Sequence, residues 1–290
     1  MPESGTTPAS QQPVRESFGS RLAAAMVDRG PLCVGIDPHP SLLADWGLND
    51  DVAGLERFSL TVVEAVASLA AAVKPQVALY ERHGSAGMAV LERTLAASTE
   101  AGVLSIADAK RGDIGSTMAA YADAWLRDGS ALAADSVTLS PYLGFESLRP
   151  ALDLAAQYGR GVFVLALTSN PEGKSVQHVG GSDSVARRIV AEATAENGRY
   201  EGSLGSVGLV VGATIGSALT DLDIDLGPVR GAILAPGLGA QGATPADLRA
   251  TFGSAYPAVL ATSSRGILAA GPTAAALRSA AEETLAGLLS

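Results

Sequence analysis

Eight short apolar runs alternate along this 290-residue chain with alanine-rich stretches of helical spacing. The runs cover residues 32–36, 72–76, 104–109, 136–139, 162–167, 207–211, 232–235 and 259–262. Helical patterns lie between them at 55–71, 85–100, 114–128, 145–158 and 182–196, followed by 245–252 and a closing stretch at 273–289. Strands that alternate with helices predict a parallel sheet, because each crossover must travel back across a face. Eight repeats in this length predict an α/β chain folded as a single-domain closed (β/α)8 TIM barrel over residues 15–290. An open doubly wound sheet is the alternative. The sixth run follows a Gly/Ser-rich stretch, 197–206, that reads as an irregular insertion.

Composition narrows what such a fold can do. The chain is 47% hydrophobic and contains no eighteen-residue apolar stretch, which excludes a helical membrane span. Residues 1–14 are polar, rich in Pro, Ser and Gln, and lack the basic start and apolar run of a signal peptide, so they read as a disordered lead. The lone Cys33 sits in an apolar run and reads as a small core residue. These features predict a cytoplasmic protein. A net charge of −10 without a basic block argues against nucleic acid as a partner. His39, His83 and His178 are scattered without metal-site spacing, so no metal is expected. No phosphate-loop motif and no strand-linked glycine fingerprint is present, so nucleotide triphosphates and nicotinamide cofactors lose support.

Polar residues gather at the carboxyl ends of the runs, which a barrel brings to one face. In the third, Asp108 and Lys110 share the strand face of Ile106 by alternation, while Ala107 and Ala109 point the other way. Asp113 follows past a glycine. Buried charges of this kind need partners, and a lysine held between two acids stays protonated. Such a lysine is a fixed positive charge and a proton donor, suited to stabilising a carbanion and quenching it. Lys74, before Pro75 on the second run, completes an array of two lysines and two aspartates if it enters the barrel; otherwise it reaches solvent. Asp37 after the first run suits either a turn or sugar hydroxyls. Gly237, Gly239 and Gly242 with Gln241 and Arg265, at the seventh and eighth ends, suit a phosphate cradle.

The stretch Asp108-Ala109-Lys110-Arg111-Gly112-Asp113-Ile114, with Thr117, resembles the D-x-K-x-x-D-[IV]-x-x-T signature of the orotidine 5′-phosphate decarboxylases. The resemblance runs from Gly35-Ile36-Asp37-Pro38 to Ser264-Arg265-Gly266-Ile267. The segment Lys74-Pro75-Gln76-Val77-Ala78-Leu79-Tyr80-Glu81-Arg82-His83-Gly84 is similar to the longer bacterial branch of that family. The resemblance implies a cofactor-free enzyme that converts orotidine 5′-monophosphate to UMP and CO2, the last step of de novo UMP biosynthesis. It implies Lys110 as the acid that protonates C6, Asp108 beside the substrate carboxylate, and Lys74 and Asp113 as the rest of the charged array. Asp37 matches a ribose contact, Ser169 (or Thr168 beside it) a pyrimidine contact, and Gln241 and Arg265 phosphate ligands. Asp113 and Thr117 are implied to reach the neighbouring site of a homodimer. The chain departs by carrying Ser264 where shorter members have glycine. Two rival classes stay open on the residues: a metal-dependent lyase acting on a sugar phosphate, and a non-catalytic phosphate-ligand sensor.

Overall fold

The apolar runs become strands because their residues are buried on both faces, the environment a covered parallel sheet supplies. In the computed structural model, which describes residues 15–239 and 242–290, these are β1 (Leu32–Ile36), β2 (Ala72–Pro75), β3 (Leu104–Arg111) and β4 (Ser136–Leu139). The other four are β5 (Gly161–Leu167), β6 (Gly205–Val211), β7 (Gly231–Pro236) and β8 (Val259–Ser263). The expected lead over residues 1–14, and Gln241, lie outside the described residues. Each strand pairs in parallel with the next, and β8 returns to β1 through Cys33↔Thr262, so the sheet closes into the expected barrel. Closure removes the open-sheet alternative.

Period-two alternation divides the core into two shells. Cys33, Ala72, Ile106, Phe163, Val210, Leu234 and Leu260 pack together inside the ring. The neighbouring residues Val34, Val73, Ala107, Val164, Leu209, Ile233 and Ala261 pack outward against the helices. Burial pushes the Cys33 thiol up to about 12, which fits the inert core residue expected of it.

One end of the ring is stoppered by an element the apolar pattern does not reveal. The helix Phe18–Arg29 starts at Ser17, whose side chain caps Ser20 N. Its Phe18 and Leu22, one helical turn apart, join the interior shell. Phe18 meets Phe163 edge to face at 5.9 Å and 87°. Contact this close needs bare backbone beneath it. A Cβ on Gly19 would lie 2.2 Å from the Leu204 carbonyl oxygen, and one on Gly161 would lie 2.1 Å from the Phe18 ring. Gly161 opens β5, so the helix closes the amino-terminal end of the strands and leaves the carboxyl end for chemistry.

The stretch 197–206 is less irregular than expected. Asn197 ends the helix Val185–Asn197, and β6 begins already at Gly205. The fully buried Asn197 amide donates to the Val207 and Val229 carbonyls at 2.7 and 2.9 Å and accepts from Val207 N at 3.1 Å. One side chain thereby ties a helix, a strand and the turn before β7.

Candidate active site

The strand carboxyl ends surround a cavity of about 900 Å³ with two unlike walls. β1, β2 and β3 contribute the charged wall of Asp37, Lys74, Asp108 and Lys110. β5, β6 and β7 contribute the apolar wall of Leu165, Val210, Leu234 and Pro236. Lys74, Asp108, Leu165, Leu234 and Pro236 arrive by strand parity, each two residues beyond an interior core position. Charges that face an apolar wall attract one another more strongly than they would in water.

Asp108 is the hub of the charged wall. Its Oδ2 accepts from Lys74 Nζ and Gln76 Nε2, each at 2.9 Å. Its Oδ1 accepts from Lys110 Nζ at 2.6 Å and from Thr138 Oγ1 at 3.0 Å. Burial opposes the charge on Asp108, but the two ammonium groups outweigh it and hold the carboxyl well below the usual range. Burial likewise opposes the charge on Lys74, while Asp108 and then Asp37 more than compensate, so this ammonium is held above its usual range. Lys74 does enter the barrel. β2 stops at Pro75, which has no N–H to continue the ladder, and Gln76 resumes by bridging Asp108. Among the described residues, Asp37 Oδ1 is buried without a hydrogen-bond partner, and both Asp37 and Thr262 line the same cavity.

Lys110 reaches Asp108 by a different route from the one alternation predicts. Regular alternation holds as far as Ala109, and Lys110 then takes a left-handed backbone with φ 48°. The β3–β4 register shifts between Ala107 and Arg111 at the same place. A non-glycine residue in this region costs roughly 1–3 kcal/mol and persists only where its surroundings hold it. Here the Lys110 N–H donates to Thr138 Oγ1 at 2.9 Å. The lysine between two carboxylates is therefore Lys74, whose side chain is 7% exposed. Among the described residues, Lys110 pairs with Asp108 alone, and its side chain is 47% exposed toward the open cavity.

Other expected site residues are spread more widely. Arg265 lines the cavity after β8 with Ser264 beside it. Ser264 fits because Gly35 is bare; a Cβ there would lie 1.9 Å from its hydroxyl. Asp113 is half-buried and accepts from Ile114 N at 2.7 Å, Thr117 is exposed, and neither lines the cavity. Ser169 is exposed on the loop after β5, also outside the lining, and Thr168 Oγ1 donates to Asn170 at 2.6 Å. Sequence reasoning gave no role to Gln76, Thr138 and Thr262. Parity is the signal that finds them: Gln76 follows Lys74 by two, and Thr138 and Thr262 are hydroxyls at inward strand positions.

Residues 30–280 match the family described as orotidine 5′-phosphate decarboxylase / HUMPS. A Streptomyces coelicolor protein named orotidine 5′-phosphate decarboxylase is 59% identical over 269 residues, covering 92% of this chain and 95% of its own length. A protein of the same name from Salinispora arenicola is 59% identical over 273 residues, covering 93% and 96%. A crystal structure from Streptomyces avermitilis superposes with a TM-score of 0.91 at 57% identity over 98% of each chain. The structure of Leishmania donovani OMP decarboxylase superposes at 0.72 with 30% identity, covering 94% of this chain and all of that one. The chain thus belongs to the orotidine 5′-phosphate decarboxylase / HUMPS family.

Proposed function

We propose that this protein is a cytoplasmic carboxy-lyase that converts orotidine 5′-monophosphate to UMP and CO2, the last step of de novo UMP biosynthesis, with no cofactor. The observation that carries this reading is Asp108 clamped between two ammonium groups, with Lys110 on the open side of a cavity whose opposite wall is apolar. A pyrimidine lying on the apolar wall presents its C6 carboxylate to the charged one. As the C6–carboxylate bond breaks, CO2 departs and the electron pair stays on C6. The Lys110 ammonium, already oriented by Asp108, stabilises that pair and then gives it a proton, which completes UMP. A fixed ammonium costs no reorganisation at the moment of reaction, which is where such sites surpass water. Asp108 stands next to the leaving carboxylate, and Lys74 keeps Asp108 ionised.

Distant contacts supply binding. Arg265 and Gln241 take the phosphate, Asp37 the ribose, and Ser169 the pyrimidine once its loop folds over the cavity. Binding energy from these groups, remote from the reacting carbon, holds the substrate in place for the chemistry. Asp113 and Thr117 serve the neighbouring site of a homodimer. In support, the exposed apolar residues Ile114, Tyr142 and Leu143 lie beside Asp113 on two adjoining loops, and a Cβ on Gly112 would lie 2.3 Å from the Ser140 carbonyl. No helix among the described residues is long and apolar enough to cross a membrane.

The deciding experiment is incubation with orotidine 5′-monophosphate, with and without EDTA, while the orotate absorbance is followed. Equal loss of absorbance in both is the expected result. Activity abolished by EDTA would favour the metal-dependent lyase, and tight binding without turnover would favour the sensor.

A further inference from the structure

We propose that Thr138 is the positioning residue that sets Lys110 and Asp108 in register for proton transfer; this rests on the decarboxylase reading above. Thr138 stands on β4, facing β3 where the register between the two strands shifts. It is 1% exposed, so its hydroxyl needs partners within the protein. It has two. Oγ1 donates to Asp108 Oδ1 at 3.0 Å and accepts from the Lys110 backbone N–H at 2.9 Å. An ionised carboxylate can only accept and an amide N–H can only donate, so both bond directions are fixed.

A single side chain therefore grips both halves of the Asp108–Lys110 pair: the carboxylate of one and the backbone of the other. The grip on the backbone matters because Lys110 sits at φ 48°, outside the region an extended strand residue prefers. That left-handed turn brings Nζ to 2.6 Å from Asp108 after regular alternation has ended. Without the hydroxyl, the Lys110 amide loses its acceptor and the backbone relaxes toward ordinary strand geometry. The ammonium then swings away from the position it holds over the cavity. Thr138 lines the cavity, but its hydroxyl is engaged with these two residues, so its loss falls on the chemical step and spares binding.

The test compares the full-length wild-type protein with Thr138→Val, which keeps shape and strand preference, and Thr138→Ser, which keeps the hydroxyl. Three quantities are read: kcat and KM for orotidine 5′-monophosphate, the affinity for UMP, and hydrogen exchange at the Lys110 backbone amide in the free protein. Thr138→Val is expected to lower kcat by roughly 10–100-fold, the range for lost support of a reacting group. KM and UMP affinity stay close to wild type, and the Lys110 amide exchanges faster. Thr138→Ser keeps both kcat and amide protection. Wild-type kcat or an undisturbed Lys110 amide in Thr138→Val would overturn the proposal, as would an equal kcat loss in Thr138→Ser. Thr138→Ala is read in the same way if the valine variant does not fold. A wild-type protein that leaves the substrate unchanged would sink the decarboxylase reading instead, and the amide measurement still tests the grip itself.

Discussion

At the scale of single residues, the charged wall works because opposing terms are resolved by proximity. Asp108 and Lys74 are each disfavoured as ions by burial and each stabilised by the other. Asp108 has a folded value below its unfolded one, so its stabilisation is complete above the ordinary carboxylate range of about 4 and is lost as pH falls through the depressed value. Lys74 has a folded value above its unfolded one, so its contribution is complete below about 10.4 and is lost as pH rises through the raised value. The stability difference between wild type and Asp108→Asn should therefore be flat between roughly pH 5 and 9 and shrink toward acid. Its size in that interval should be about 3 kcal/mol, because the substitution leaves buried ammonium without its counter-ion. Denaturant unfolding across pH checks both statements. Lys110→Ala should lower kcat by roughly 10²–10⁴-fold while UMP still binds, the range for a lost general acid. Near-normal kcat would remove Lys110 from the acid role. Arg265→Ala should raise KM for the phosphorylated substrate and change little for a phosphate-free analogue; equal losses on both would show that Arg265 does not meet the phosphate.

At the scale of elements, the site depends on parts far from it. The helix Phe18–Arg29 fills the amino-terminal end of the ring, and its fit requires Gly19 to lie on the Leu204 and Gly205 carbonyls. Gly19→Ala places a methyl against backbone that cannot yield easily, so it should destabilise by about 1–3 kcal/mol, the range for overpacking. KM and kcat of the folded fraction should stay near wild type, since the catalytic wall is at the other end. Thermal unfolding beside steady-state kinetics checks this. The helix was not legible ahead of β1 because the large apolar residues it turns to the ring, Phe18, Leu22 and Met26, are few and follow a polar lead. Boundaries elsewhere shifted for local reasons. The helix expected over residues 55–71 runs Val52–Val66, because Asp51 caps it by accepting from Gly54 N at 2.8 Å. The pattern over 145–158 divides into a tight turn at Phe145–Leu148 and a helix at Arg149–Gln157, with Pro150 in the first turn of the second piece.

At the scale of the whole molecule, the question is which chain supplies Asp113. The proposed homodimer gives a sharp expectation. Lys110→Ala and Asp113→Asn variants, each inactive alone, should regain activity when mixed and allowed to exchange subunits. The hybrid then holds one site with Lys110 from one chain and Asp113 from the other, both intact. No recovery, under conditions where hybrids are seen to form, would place Asp113 in the service of its own chain. The sequence by itself determined the barrel, through eight runs of strand length spaced by helical crossovers, and the charged strand ends that converge on one cavity. Period-two alternation is local, and a closed ring turns it directly into an inside and an outside. Only the tertiary structure decided which lysine is enclosed by acids, how Lys110 returns to Asp108 after alternation fails, and that Thr138 and Gln76 complete the cluster. Those outcomes depend on contacts between strands distant in sequence, where a register shift of one residue exchanges one neighbour for another, and no local pattern records them.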